Sequence, residues 1–95
     1  MRATRLGDLN TGHDACAPRE LITASTDCFI NGRGAGRVGD IYAPHSCIEH
    51  PPHNDNIAAG SGSVFINGKS AGRIGDAVAI GGSVAQGSED VWIGG

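Results

Sequence analysis

The sequence predicts a small all-β domain that closes on itself around a pseudo-threefold axis, and three observations predict it. The first is an internal repeat. Phe29-Ile30-Asn31-Gly32-Arg33-Gly34-Ala35-Gly36-Arg37-Val38-Gly39-Asp40 recurs as Phe65-Ile66-Asn67-Gly68-Lys69-Ser70-Ala71-Gly72-Arg73-Ile74-Gly75-Asp76, identical at nine of twelve positions at an offset of 36 residues. The second is the hairpin signature inside each copy: a short apolar run enters Asn-Gly, and a second short strand leaves toward Gly-Asp. The third is a divided copy at the chain ends. Arg5-Leu6-Gly7-Asp8 repeats the closing half, and Gly87-Ser88-Glu89-Asp90-Val91-Trp92-Ile93-Gly94 repeats the opening half. Pairing the last strand with the first leaves no raw sheet edge around the ring.

Composition agrees. The 95 residues make one domain, 1–95, with room for only a small core. Gly is 16 of those residues, aromatics are 4% and charged residues 18%, which excludes long amphipathic helices. So little bulky apolar material calls for a staple: a disulfide, a metal or a partner chain. Three cysteines are an odd number, and no apolar run follows Arg2 and Arg5 as in a secretory signal, so a thiol or thiolate role is preferred to a disulfide framework. A net charge of −3 with seven Lys and Arg cannot make a dense phosphate-binding stripe, and no nucleic-acid partner is expected. No run of about 18 apolar residues exists to span a membrane as a helix.

Taken in order, residues 1–8 form a short strand that opens the chain, and residues 9–19, rich in turn formers, are a loop holding His13 and Cys16. Residues 20–24 read as a strand before the first hairpin repeat, 25–40. Strand alternation there puts Cys28 and Ile30 on the inner face and Phe29 on the other. The same register pairs Val64 and Ile66 against Phe65, and Val91 and Ile93 against Trp92. Cys28 therefore reads as a small buried hydrophobe in the place of Val64 and Val91. Arg5, Arg37 and Arg73 each precede an Asp by three residues, which suits a tight turn with an Arg–Asp contact better than paired catalytic carboxylates. Residues 41–56 are expected to be an irregular loop braked by Pro51-Pro52. Residues 57–60 are a strand, and 61–76 form the second hairpin repeat. A short apolar segment, 77–82, precedes a strand near 83–86, and the third repeat is split between 1–8 and 87–95.

All four histidines and two of the cysteines lie in the loops after the first two Gly-Asp pairs. His13 follows Asp8 by five residues and His45 follows Asp40 by five, so the pseudo-threefold brings these two to equivalent places. The third loop offers Ile80-Gly81 there, which binds nothing. Tetrahedral zinc takes four N or S ligands. The preferred set is His13, His45, Cys47 and His53, with His50 and Cys16 in reserve; His45, Cys47, His50 and His53 form a wholly local alternative. Thiolate with imidazole favours zinc, iron being the ion the same ligands also accept. The bland alternative is a set of surface histidines holding no ion.

The repeated Phe-Ile-Asn-Gly-x-x-Ala-Gly-Arg-Val/Ile-Gly-Asp, the Gly12-His13 after the first Gly-Asp, the His45-x-Cys47 after the second, and Gly81-Gly82-x-Val84-x-x-Gly87-Ser88 together resemble the PAAR-repeat family over essentially the whole chain. The resemblance departs at the namesake tetrapeptide, which here reads Gly34-Ala35-Gly36-Arg37 and Ser70-Ala71-Gly72-Arg73. It departs also at Ile80-Gly81, where many members have Cys-Gly. The resemblance implies a cone of short strands, stapled by a metal near the apex, that caps a trimeric β-helical spike of a type VI secretion system or contractile phage tail. It implies a site of three His and one Cys, one tip per VgrG-like or phage spike trimer, and assembly in the bacterial cytoplasm. Membrane contact is then transient, on piercing, and an effector is expected as a separate chain. Phe29, Phe65 and Trp92, facing away from the core, are the candidate spike contacts, shielding of the outer wall being the alternative. Two other readings stand beside this one. A metal-stabilised adaptor would lack a spike partner. A small zinc hydrolase would need an open coordination site and a general base, for which only Glu49 and Asp55 lie close, in a body with little room for a pocket.

Overall fold

Six short strands in three antiparallel pairs carry the regular structure, and many single bridges join the rest. The computed structural model describes residues 1–12, 17–47, 50–53 and 55–95, with 45–47 and 50–53 described by their backbone alone. Strand β1 (Phe29–Ile30) pairs with β2 (Arg33–Gly34), β3 (His45–Cys47) with β4 (His50–His53), and β5 (Phe65–Ile66) with β6 (Lys69–Ser70). No helix occurs among the described residues, and none is long and apolar enough to cross a membrane.

The two Asn-Gly turns behave as their sequence dictates. Asn31 and Asn67 both have φ of 53°, followed by Gly32 and Gly68 at 76° and 77°. Two successive positive φ values make a type I′ turn, whose twist matches that of the flanking strands. The Arg-x-Gly-Asp segments form tight turns too: Asp8, Asp40 and Asp76 each donate a backbone N–H to the carbonyl three residues back, at 3.0 Å. Gly7, Gly39 and Gly75 hold the left-handed position in them. Ahead of each hairpin a buried serine, Ser25, Ser61 or Ser88, accepts two backbone N–H groups on its hydroxyl.

Three backbone hydrogen bonds close a ring. Gly36 N donates to Thr4 O, Thr4 N to Gly72 O, and Gly72 N to Gly36 O, at 2.9–3.1 Å. Three single bridges, Arg5 to Ala35, Arg37 to Ala71 and Ala3 to Arg73, follow the same cyclic order. The chain ends meet in this framework: Arg2 bridges Trp92, Ile93 N donates to Met1 O, and Ala3 N donates to Val91 O. Strands anticipated at 1–8, 20–24, 57–60 and 83–86 are present as bridges rather than continuous ladders, because each exchanges bonds with two different neighbours in turn.

Two apolar clusters fill the interior. Ala3, Ala35 and Ala71 pack with Ile30, Ile66 and Ile93, and Leu21, Tyr42, Ile57, Val78 and Val84 form the second. The inward pair predicted for each hairpin strand is only half realised. The isoleucines are buried, whereas Cys28 and Val91 are partly buried and Val64 is 37% exposed. Cys28 and Val91 still pack against the first cluster, as the alternation predicts, and Val64 is the exception. The stretch 41–56 also differs from the irregular loop expected: β3 and β4 make an antiparallel ribbon despite Pro51 and Pro52. Proline lacks an N–H, which an edge strand with a partner on one side tolerates.

The Gly-to-Ser change between repeats has a steric reason. A Cβ on Gly34 would lie 3.0 Å from Ala24 Cβ and 2.5 Å from Ser25 O. In the second repeat the arrangement is inverted: Ser70 carries the side chain, and the residue facing it is Gly60, whose added Cβ would sit 3.1 Å from Ser70 Cβ. One partner of each pair must lack a Cβ. Gly34→Ser is therefore expected to destabilise by about 1–3 kcal/mol, and adding Ala24→Gly should recover part of that loss in urea unfolding. No recovery in the double variant would show the two positions to be independent.

Candidate functional site

Three arginine–aspartate clamps recur at the repeated turns. In each, the Asp accepts the backbone N–H and Nε of the arginine three residues before it on Oδ2, and Nη2 on Oδ1. The distances are 2.9, 2.9 and 3.1 Å for Arg5–Asp8, 2.8, 2.9 and 3.0 Å for Arg37–Asp40, and 2.8, 3.0 and 2.9 Å for Arg73–Asp76. The hydrogen bonds to the aspartates raise all three guanidinium pKa values. Asp8 gains a second cation, Arg33, at 2.9 Å. These aspartates are saturated by arginine, so turn architecture accounts for them.

Each clamp reaches into the next unit. Arg5 Nη1 donates to Asn31 Oδ1 and Arg37 Nη1 to Asn67 Oδ1, both at 3.0 Å; Arg73 Nη1 finds the Gly94 carbonyl at 3.1 Å. The asparagine amides then donate to Asp90 and Asp27. Sequence reasoning assigned Asn31 and Asn67 to turn geometry alone. Their second task as cross-braces leaves no local sequence signal, since the bond partners lie 26 and 30 residues away.

These bonds also set a pH response. Asp27 is held below the ordinary carboxylate range first by Asn67 and then by Ser25, and Asp90 first by Asn31 and then by Ser88. A pKa depressed on folding contributes stability that is present above the unfolded value, about 3.9, and lost as pH falls through the folded one. Stability should accordingly decline on acidification below that range. In Asn67→Ala the Asp27 carboxyl, followed by NMR titration, should return toward its ordinary value; an unmoved titration would contradict the assignment.

The predicted metal ligands are placed only in part. His13, with the reserve Cys16, lies outside the described residues. The β3–β4 ribbon sets His45 opposite His53 and Cys47 opposite His50 in its backbone register. Four of the chain's N and S donors thus occupy facing positions on one ribbon, including His50. At the root of that ribbon Ile41 bridges Asn56, and Tyr42 N donates to Asp55 O at 2.8 Å. Among the residues whose side chains are described, which do not include the predicted ligands, no group of three or more His, Cys, Asp or Glu converges. Asp55, named in the sequence only as an acid near these residues, lies at the same root. It is 1% exposed, and among the described residues its Oδ2 has no hydrogen-bond partner.

Phe29, Phe65 and Trp92 are 61%, 59% and 65% exposed, and Arg2 lies over the Trp92 ring at 5.8 Å from its centroid. They do not stand alone. Leu6 and Ile22, both exposed, line with Phe29 and Gly34 an apolar cleft of about 530 Å³. Nothing in the local sequence announces this cleft, because only the tertiary fold brings residues 6, 22 and 29 together. Three large apolar side chains at equivalent hairpin positions are thus left exposed.

The family model for the PAAR motif matches residues 11–86. No curated protein matches the chain significantly.

Proposed function

The chain belongs to the PAAR motif family, and from that premise we propose that it is a structural tip: a cone of three hairpin repeats that caps and sharpens a trimeric β-helical spike. The family is associated with such tips in type VI secretion systems and contractile phage tails. The observation that carries the reading is the closed ring of backbone hydrogen bonds through Thr4, Gly36 and Gly72. A single chain that repeats one arrangement three times about an axis can meet three identical chains along theirs, each strand end facing an equivalent partner. The body is elongated, 37 × 24 × 22 Å, as a tip on a shaft should be.

Rigidity is what a tip needs, and the clamps supply it. Each joins a turn to the neighbouring unit, so force applied to one hairpin is shared with the next. The exposed Phe29, Phe65 and Trp92 supply the spike contact. The metal proposed for the apex is zinc, with iron as the alternative. His45, Cys47 and His53 hold it, with His13 as fourth ligand and His50 as its substitute. The paired register of His45 with His53 and the nitrogen and sulfur donor set fit such an ion. When bound, the metal supplies a cross-link between loops and no reaction chemistry. As a general base for a hydrolase Asp55 is ill suited, being buried with Oδ1 engaged by two amides. The host machine assigns the location, a virion tail or a secreted spike.

Co-purification with a trimeric spike protein tests the reading. Replacing Phe29, Phe65 and Trp92 together by Ser should abolish the complex while the circular dichroism of the free tip is kept. Undiminished binding would move the contact elsewhere.

A further inference from the structure

The outer wall beside each hairpin is built three times, and not alike. Leu6 N donates to Gly34 O, Val38 N to Ser70 O and Ile74 N to Arg2 O, at 2.8–2.9 Å, so these three pairs are equivalent. Beside them come Ile22, Ala58 and Ala85, each three residues before its serine in the set Ser25, Ser61 and Ser88. In the second wall Val38 is half-buried, and a Cβ on Gly60 would lie 3.0 Å from its Cγ2 and 3.1 Å from Ser70 Cβ, so side chains already fill the space. In the third wall Arg2 covers the Trp92 ring, and the neighbouring cleft of about 570 Å³ is charged, lined by Arg2, Arg5, Arg33, Asp8, Glu89 and Asp90. The first wall is the open one. Gly34 stands where the others carry a side chain, Leu6, Ile22 and Phe29 are all exposed, and no ionisable side chain lines the cleft of about 530 Å³ between them.

Unpaired main chain runs along the same cleft. Leu21 N donates to Asp8 O and Leu21 O accepts Gly7 N, both at 2.9 Å. Two residues on, neither the N–H nor the C=O of Thr23 has a partner among the described residues, and the same holds for Ala24. In the third wall the matching carbonyls are taken: Gln86 O accepts Thr4 Oγ1 at 2.9 Å, and Gly87 O accepts Arg5 Nη2 at 3.2 Å. These features select the occupant. A small apolar molecule would fill the cleft and leave the main-chain groups unpaired. A second copy would set one concave wall against another, and a threefold partner would meet three unlike walls. An extended polypeptide fits, because its backbone pairs as an added strand while alternate side chains face the cleft. We propose that the wall of Leu6, Ile22 and Phe29 docks one extended, uncharged segment of a separate protein, by strand addition at Thr23 with an aliphatic side chain seated in the cleft. The site is single because the pseudo-threefold is broken at Leu6, Ile22 and Gly34, and it stands whether or not the chain caps a spike.

NMR titration of the isotope-labelled full chain with a capped peptide, serine and valine alternating about a central leucine, tests this. Chemical-shift changes should centre on Leu6, Ile22, Thr23 and Phe29, and the Thr23 amide should exchange more slowly with solvent at saturation. Peptides with glutamate or lysine in place of the leucine should not bind. Ile22→Ala, which copies the residue of the other two walls at an exposed position, should weaken binding about tenfold or more and leave spike co-purification as it was. Absence of binding at up to about 1 mM peptide, shifts centred elsewhere, equal binding of the charged peptides, or undiminished affinity in Ile22→Ala overturns the proposal. Shifts of the same residues with protein concentration alone would give the cleft to a second copy, and loss of spike binding in Ile22→Ala would give it to the spike; either result overturns it as well.

Discussion

Stripping the proposed zinc with a chelator should lower the melting temperature by tens of degrees. A ligand bound only by the folded state stabilises by about 4 kcal/mol when its free concentration is a thousandfold above Kd. For a domain of this size that corresponds to roughly 16–32 °C. The effect is large because the apolar core is small: the two buried clusters are made mostly of alanine, valine and isoleucine. Scanning calorimetry with and without chelator measures this. A change of only a degree or two would show that the hairpin framework stands without an ion.

Asp40→Ala should have the next largest effect. Exposed ion pairs contribute about 0–1 kcal/mol, but the Arg37–Asp40 pair is 13% and 4% exposed and belongs to the buried regime. Removing the carboxylate strands a guanidinium and the Arg37 backbone N–H together. Breaking such a pair costs roughly 3 kcal/mol or more, or about 12–24 °C in this size class. Asp8→Ala should cost about as much, since it releases the half-exposed Arg33 where Asp40→Ala releases the Thr23 hydroxyl. Loss of only a few tenths of a kcal/mol in urea unfolding would show the clamps to be incidental. Because Arg37 also reaches Asn67, its removal should couple with Asn67→Ala in a double-mutant cycle.

The hairpins, their turns and the clamps were legible in the sequence because each depends on residues within four positions of one another. Asn31-Gly32 fixes a turn wherever it stands between short strands, and Arg37 finds Asp40 across a single turn. The ring through Thr4, Gly36 and Gly72 was legible only through the repeat, which announces cyclic order without saying which amides meet. Two features escaped. The β3–β4 ribbon was hidden by Pro51-Pro52, a break in any central strand but tolerable at an edge. The exposure of Val64 was hidden because alternation assigns a side chain to a face without saying how much of that face the rest of the chain covers. The candidate site divides in the same way. Spacing singled out His45, Cys47 and His53, and proximity in sequence named Asp55, but only the fold shows that this carboxylate is buried with Oδ1 taken by two amides. The apolar cleft beside Phe29 required three distant segments to meet.

Native mass spectrometry of the chain mixed with a purified trimeric spike tests the tip assignment most directly. One copy bound per spike trimer, with no further addition in excess, is the result expected of a monomer that mimics a threefold. Three copies per trimer, or no complex with any spike at micromolar concentrations, would contradict it.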